Sequence, residues 1–475
     1  MCDFCACAGT PDCGAEPQNA ALTGYQISFA GNFASNTQAL LSGTKWGQTT
    51  ITYSFPDSVS DYTSSPGSYG YGELLNDFRE LNANQKTAAR AAFDMVEGYT
   101  NLRFVEVSSN EGSADIRLAR TEEPSTAWAY YPGSGTGGDV WFNASASWYT
   151  NPRQGTYAWH TMMHEIGHAL GLKHGHESVP NGALDTAHDQ MAFSVMTYRS
   201  YEGAGGTVYT NETYGYAQSY MTFDIAALQA LYGVDWGTND GDNTYTFSAT
   251  TGEMFIDGVG QGRPGSNRIF ETIWDGNGVD TIDLSNYSNS ITADLAPGGT
   301  LDFSPIQTAQ LGPGIYADAN VHLALAPNNS RRAFIENIIT GSGEDFIFGN
   351  PEANRIDGKG AADEIVGLGG DDTIFGGGGK DDIVGGPGDD VIDGGIGADK
   401  IKGSAGADTF LLHDRSGKDV IKDFTLFEDI IDVPDVSLAT LIVSNTGHLT
   451  VEYMGSQAIL RGLDAGDATI DDLLI

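Results

Sequence analysis

Between Thr340 and Leu411 an apolar residue returns every nine positions: Ile347, Ile356, Ile365, Ile374, Ile383, Ile392, Ile401 and Phe410. Two residues before each stands Asp345, Asn354, Asp363, Asp372, Asp381, Asp390, Asp399 or Asp408, with glycines between. A flexible glycine-rich linker has no need of a periodic core residue, so this pattern predicts structure. Each copy supplies a turn and a very short strand whose isoleucine points inward. Two copies complete one turn, and the eight copies predict about four turns of a flattened parallel β-roll. The glycines permit the turns and expose carbonyls, while each aspartate offers the hard oxygen that calcium prefers. Asp345, Asp363, Asp372, Asp381, Asp390, Asp399 and Asp408 are therefore candidate calcium ligands.

The N-terminal half is patterned differently. Ile51, Tyr53 and Phe55 alternate with Thr50, Thr52 and Ser54, as in a half-buried strand. Short strands are expected at 103–107, 114–119, 127–131 and 139–142. Helices are expected at 83–97, stopped by Gly98, at about 156–172, and at 221–232. A Gly/Asn/Asp-rich stretch at 237–243 reads as a linker. The expected organisation is an N-terminal pro-segment over 1–45, an α+β domain with a mixed sheet over 46–238, and an all-β domain over 239–475.

The second expected helix carries the candidate chemistry. His164 and His168 are four apart and share a helix face, where both imidazoles can reach one metal. Glu165 adjoins the first ligand without occupying a ligand position. Gly171 can leave the helix through a left-handed conformation, so that the chain turns back and delivers His174. Three imidazoles with an open fourth position describe a catalytic zinc rather than a structural one.

Composition narrows the partners. The 475 residues exceed one core, and 63 acidic against 23 basic side chains give a formal charge of −40. Such a surface repels nucleic acid and anionic membranes, and it repels itself unless cations neutralise it. No run of 18 apolar residues exists, so no membrane insertion is expected. Cys2, Cys5, Cys7 and Cys13 are the four cysteines, all within the first 13 residues, so disulfides do not hold the folded body together. The N-terminus shows no basic-then-apolar secretory signal.

With the motif at 164–174, the stretch Ser194-Val195-Met196-Thr197-Tyr198 and the nonapeptides, the chain resembles the serralysins. These are secreted bacterial zinc metalloproteases of the metzincin class with a calcium-binding RTX β-roll. Further matching stretches are Asp224–Gln229, Thr272–Asp275, Asp280–Asp283, Ile335–Ile338 and Asp419–Phe424. The resemblance implies zinc on His164, His168 and His174, Glu165 as catalytic base, and Met196 in the methionine turn that floors the site. It implies that Tyr198 ligates zinc at rest and stabilises the tetrahedral intermediate during turnover. Asp275 and Asp280 would hold a further calcium. The tail Asp472-Leu473-Leu474-Ile475 resembles that of type I secretion substrates.

The expected function is thus a secreted, extracellular, calcium-stabilised zinc endopeptidase, a monomer that meets protein substrates and the type I secretion machinery. It would cleave by a metal-activated water with Glu165 as general base. Cys13 is a candidate to fill the open zinc position of a latent zymogen; alternatively the cysteines belong to a disposable leader. Two departures bear on the substrate cleft. Gly175-His176-Glu177 follows the third histidine where the family has Pro-Gly, and the segment before the methionine turn is shorter. The competing reading is a non-enzymatic, calcium-dependent exported surface or adhesion protein. A lipase is not supported, since no G-x-S-x-G elbow occurs.

Overall fold

The computed structural model describes residues 32–62, 69, 72–109, 114–443, 448–464 and 468–474. It forms two compact units. One runs to Val234 and adds Gln310–Asp318; the other comprises Asp235–Ala309 and the chain from Ala319 onward. All four cysteines, Cys13 included, lie outside the described residues.

The first unit is α+β. Strands β1 (Thr50–Ser54), β2 (Arg79–Glu80), β3 (Arg103–Glu106), β4 (Ile116–Thr121), β5 (Ala127–Ala129) and β6 (Val140–Asn143) build one sheet, ordered β3-β1-β4-β6-β5 with β2 beside β4. The β1–β3, β1–β4 and β4–β6 pairs are parallel; β2–β4 and β5–β6 are antiparallel. Its helices are α1 (Asn32–Ala39), α2 (Ala83–Tyr99), α3 (Tyr157–Ala169) and α4 (Thr222–Tyr232). Helix α2 runs through Gly98 to Tyr99 rather than stopping at the glycine. Tyr99 is buried, and Thr100 closes the helix by donating its N–H and its hydroxyl to Val96 O.

Helix α3 begins where Thr156 Oγ1 accepts the N–H of Trp159, and it ends three residues earlier than expected. Leu172 N–H donates to Gly167 O and Gly171 N–H to His168 O, both at 2.9 Å. This pair of bonds is a Schellman closure, which takes up the last carbonyls and stops the helix at Ala169. The segment from Asn32 to Thr44 packs into the same unit. Leu40 is fully buried, Lys173 N–H donates to Leu40 O at 2.7 Å, and Ser42 N–H donates to Gly171 O at 2.9 Å.

The roll in the second unit is built from parallel strands in the 18-residue turns that the repeats predict, and antiparallel pairs flank it. Ile347, Ile365, Ile383 and Ile401 are consecutive partners in one sheet, continuing to Ile421. Ile338, Ile356, Ile374, Ile392, Phe410 and Ile431 are partners in the facing sheet. All of these side chains are buried in one shared core, each worth about 1.5–3 kcal/mol of apolar burial. Residues 237–243 are not a bare linker. Thr238 O accepts from Gly276 N–H, Asp242 Oδ1 from Val279 N–H, and Asn243 N–H donates to Asp280 Oδ1.

Candidate metal centre and active site

His164 and His168 leave one face of α3 with ring centres 4.7 Å apart. The chain turns at Gly171, where φ is +103° and a Cβ would come within 2.2 Å of Thr44 O. Only glycine satisfies both conditions. Three residues on, His174 Nε2 comes to 3.0 Å from His168 Nε2, and ligand nitrogens of all three histidines lie within 4.8 Å of one another.

Each imidazole has its other nitrogen engaged. His164 Nδ1 is 2.8 Å from Val195 O, His168 Nδ1 is 2.7 Å from Leu172 O, and His174 Nδ1 is 2.9 Å from Glu177 Oε1. These acceptors place the proton on Nδ1 and leave the Nε2 lone pairs facing inward. Burial lowers His164 to about 4, His174 to about 3 and His168 well below its usual value, so all three are neutral, the form that ligates. Two unprotonated imidazole nitrogens 3.0 Å apart repel each other, and a cation between them relieves that repulsion. The donor set fits one zinc ion.

Glu165 is buried beside this cluster, and its Oε2 has no hydrogen-bond partner among the described residues. Burial pushes it up to about 8, and a cation on the histidines would pull it down again. The Tyr198 hydroxyl donates to His174 Nε2 at 2.7 Å; burial, then the charge of Glu165, keeps that hydroxyl protonated. Met196 is fully buried, with its Sδ beside Gly167 of α3.

Two residues given no role from the sequence organise this site. Asp224 is fully buried at the start of α4 and accepts from Ser194 Oγ (2.6 Å), Val195 N–H (2.7 Å) and Met221 N–H (3.0 Å). It thereby ties the methionine turn, and Val195 O with it, to the helix. Glu177 is the other. Its only signal was a departure from the family pattern after the third histidine. His160, His176 and His188 stay outside the three-nitrogen cluster. His160 Nε2 lies 3.1 Å from Tyr209 Oη, His176 stacks on His174 at 5.4 Å between ring centres, and His188 pairs with Asp185.

In the second unit the repeat aspartates form a ladder. Asp363, Asp372, Asp381, Asp390, Asp399 and Asp408 each accept, through Oδ1, the backbone N–H of the residue 18 positions earlier. The Oδ2 atoms of Asp345, Asp363, Asp372, Asp381, Asp390 and Asp399 are buried without a hydrogen-bond partner among the described residues. Glycines leave the room in front of them. A Cβ on Gly367 would lie 2.2 Å from Asp372 Oδ2 and 2.7 Å from Gly385 O, and one on Gly376 would lie 2.6 Å from Asp381 Oδ2 and 2.7 Å from Gly394 O. Carboxylate and carbonyl oxygens facing one gap fit calcium.

Asn354 departs from the ladder: its Oδ1 accepts from Asn350 N–H and its Nδ2 donates to Asn350 Oδ1, and as an amide it brings no charge to this rung. Asp419 and Asp429 extend the ladder past the repeats, accepting from the N–H groups of Asp399 and Asp408. The loop spacing of 20 and 21 residues hides them from a nine-residue period. Asp275 and Asp280 form a separate group with Glu336. Asp280 N–H donates to Glu336 Oε2 at 2.9 Å, and Asp280 Oδ2 is buried without a hydrogen-bond partner among the described residues.

A helix-borne histidine pair, a third histidine past a glycine turn and a methionine beneath them are the arrangement of the metzincin class. Comparison with known proteins agrees. Residues 73–184 match the matrixin family, and 333–363, 357–392 and 375–410 match the RTX calcium-binding nonapeptide repeat. The chain is 30% identical over 322 residues to metallopeptidase AprA of Pseudomonas marginalis, covering 65% of this chain and 62% of that protein. It is 31% identical over 284 residues to serralysin C of Dickeya chrysanthemi, covering 57% and 54%, and 29% identical over 330 residues to serralysin of Proteus mirabilis, covering 64% and 60%. The chain thus spans between about half and three fifths of the length of these relatives. In these matched segments the chain is similar to metzincin proteases of the serralysin type.

Proposed function

We propose that this chain is a secreted zinc endopeptidase whose fold is completed by calcium. The observation that carries this reading is the convergence of ligand nitrogens of His164, His168 and His174 within 4.8 Å of one another, with Glu165, the residue next to the first of them, buried and its Oε2 without a hydrogen-bond partner among the described residues. Zinc held by His164, His168 and His174 would supply Lewis acidity toward a carbonyl and a water molecule. Glu165 takes the proton of the attacking water and passes it to the leaving amine. The Tyr198 hydroxyl is a protonated donor at the site and stabilises the oxyanion as it develops.

Strand β5 ends the sheet and offers an edge to an extended peptide. Tyr131, two residues beyond it, sets its ring edge-on to His168 at 5.7 Å between centres, so a peptide on β5 would run beside the histidines. Backbone pairing there makes recognition broad. At low calcium the aspartate ladder repels itself, and external calcium makes folding favourable after type I export.

The Glu165→Ala variant tests the reading. It retains zinc at one per chain and loses caseinolytic activity, while the wild type loses activity when zinc is chelated and regains it on readdition. Normal casein cleavage by Glu165→Ala would refute the mechanism.

A further inference from the structure

The three histidines differ in what holds their far nitrogen. His164 and His168 donate to backbone carbonyls, of Val195 and Leu172. His174 donates to a carboxylate, Glu177 Oε1, at 2.9 Å. His164 and His168 are buried on a helix, whereas His174 lies on the irregular loop that follows it and is less buried. The ligand with the weakest scaffold therefore has the strongest hydrogen-bond acceptor.

The loop is shaped to present that acceptor. The Lys173 side chain is almost wholly buried, and its Nζ donates to Glu177 O and Gly182 O, at 2.5 and 2.9 Å. Glu177 N–H donates to His174 O at 3.1 Å, closing a turn that brings the carboxylate to Nδ1 of the ring. His176 stacks on the exposed side of His174, with the two rings within 13° of parallel. A lysine ammonium spent on two backbone carbonyls, instead of on the nearby carboxylate, leaves Glu177 Oε1 to the imidazole.

We propose that Glu177 is the positioning residue of the zinc site: it fixes His174 in the Nδ1–H tautomer and orientation that aim Nε2 at the metal, and so sets metal affinity. This rests on the reading of His164, His168 and His174 as zinc ligands. Carboxylate partners of metal-bound histidines act in this way generally, and their loss weakens metal binding about 10–100-fold.

The test uses the full chain, calcium-loaded and stripped of zinc, then titrated with zinc against a competing chelator. The wild type takes up one zinc. Glu177→Ala still takes up one, with affinity lower by about 10–100-fold. Glu177→Gln, whose amide oxygen can still accept from Nδ1, recovers part of the loss. Unfolding temperatures of the three zinc-free proteins agree, which separates positioning from a general structural role. An affinity of Glu177→Ala within twofold of wild type would overturn the proposal. So would a wild type that binds two zinc ions and a variant that binds one, since Glu177 would then be a ligand, with His174 and His176, of a second ion. A wild type that binds no zinc would instead defeat the histidine reading itself.

Discussion

Gly167 and Met196 touch through an absent side chain: a Cβ on the glycine would sit 2.8 Å from the methionine Sδ. The third residue after His164 is thus small because the methionine turn lies against that face of α3. Gly167→Ala inserts a methyl into a fully packed contact, an overpacking that costs about 1–3 kcal/mol. The expected result is a lower unfolding temperature together with weaker zinc binding. Met196→Ala in the same chain relieves part of the clash, so the two substitutions couple in a double-mutant cycle. Additive losses would contradict the contact.

Asp224 makes a second link between α4 and the methionine turn. Asp224→Ala strands the N–H groups of Val195 and Met221, each a buried donor worth about 1–3 kcal/mol when left unpaired. Asp224→Asn keeps one oxygen for those donors and can turn its amide toward Ser194 Oγ. Urea unfolding should rank wild type above Asp224→Asn and Asp224→Ala lowest, with zinc affinity following the same order.

The calcium-free roll should respond to pH in the direction opposite to ordinary acid unfolding. Burial first, and then like charges nearby, raise Asp363 and Asp372 to about 8, Asp390 to about 7, and Asp381 and Asp408 to about 6. In the unfolded chain these groups titrate near about 4. The folded state therefore binds more protons across the interval, and its stability falls as pH rises through these values. In excess chelator, sheet content by circular dichroism should increase as pH is lowered from 8 toward 5. With saturating calcium it should stay flat over that range. A chelated roll that is fully formed and insensitive to pH would show that the carboxylates do not repel.

The segment Asn32–Thr44 is tied to the loop of the third ligand through Leu40 O and Ser42 N–H. A chain beginning at residue 46 should therefore bind zinc more weakly and unfold at lower temperature than one beginning at residue 32. Zinc content after dialysis measures the difference. Equal retention would show that this segment contributes nothing to holding the metal.

The sequence alone determined the parts of this protein that depend on spacing along the chain. A spacing of four from His164 to His168 is about one helical turn, a glycine before His174 permits the return, and a spacing of nine from one isoleucine to the next is half a turn of the roll. These relations hold wherever the chain is placed, because backbone geometry fixes them. The α+β character of the first unit and the parallel roll were legible for the same reason. Tertiary structure decided what the spacing could not carry. Glu177 turning back to His174, Asp224 gripping the methionine turn, Met196 lying against Gly167, and Gln310–Asp318 joining the first unit all depend on where separate segments meet. Asp419 and Asp429 joined the ladder only once the longer turns were folded, since 20 and 21 residues break the period while the backbone still brings the same rungs together. A side chain's role at a metal depends on which acceptor stands within about 3 Å, and that distance is a property of the packed molecule.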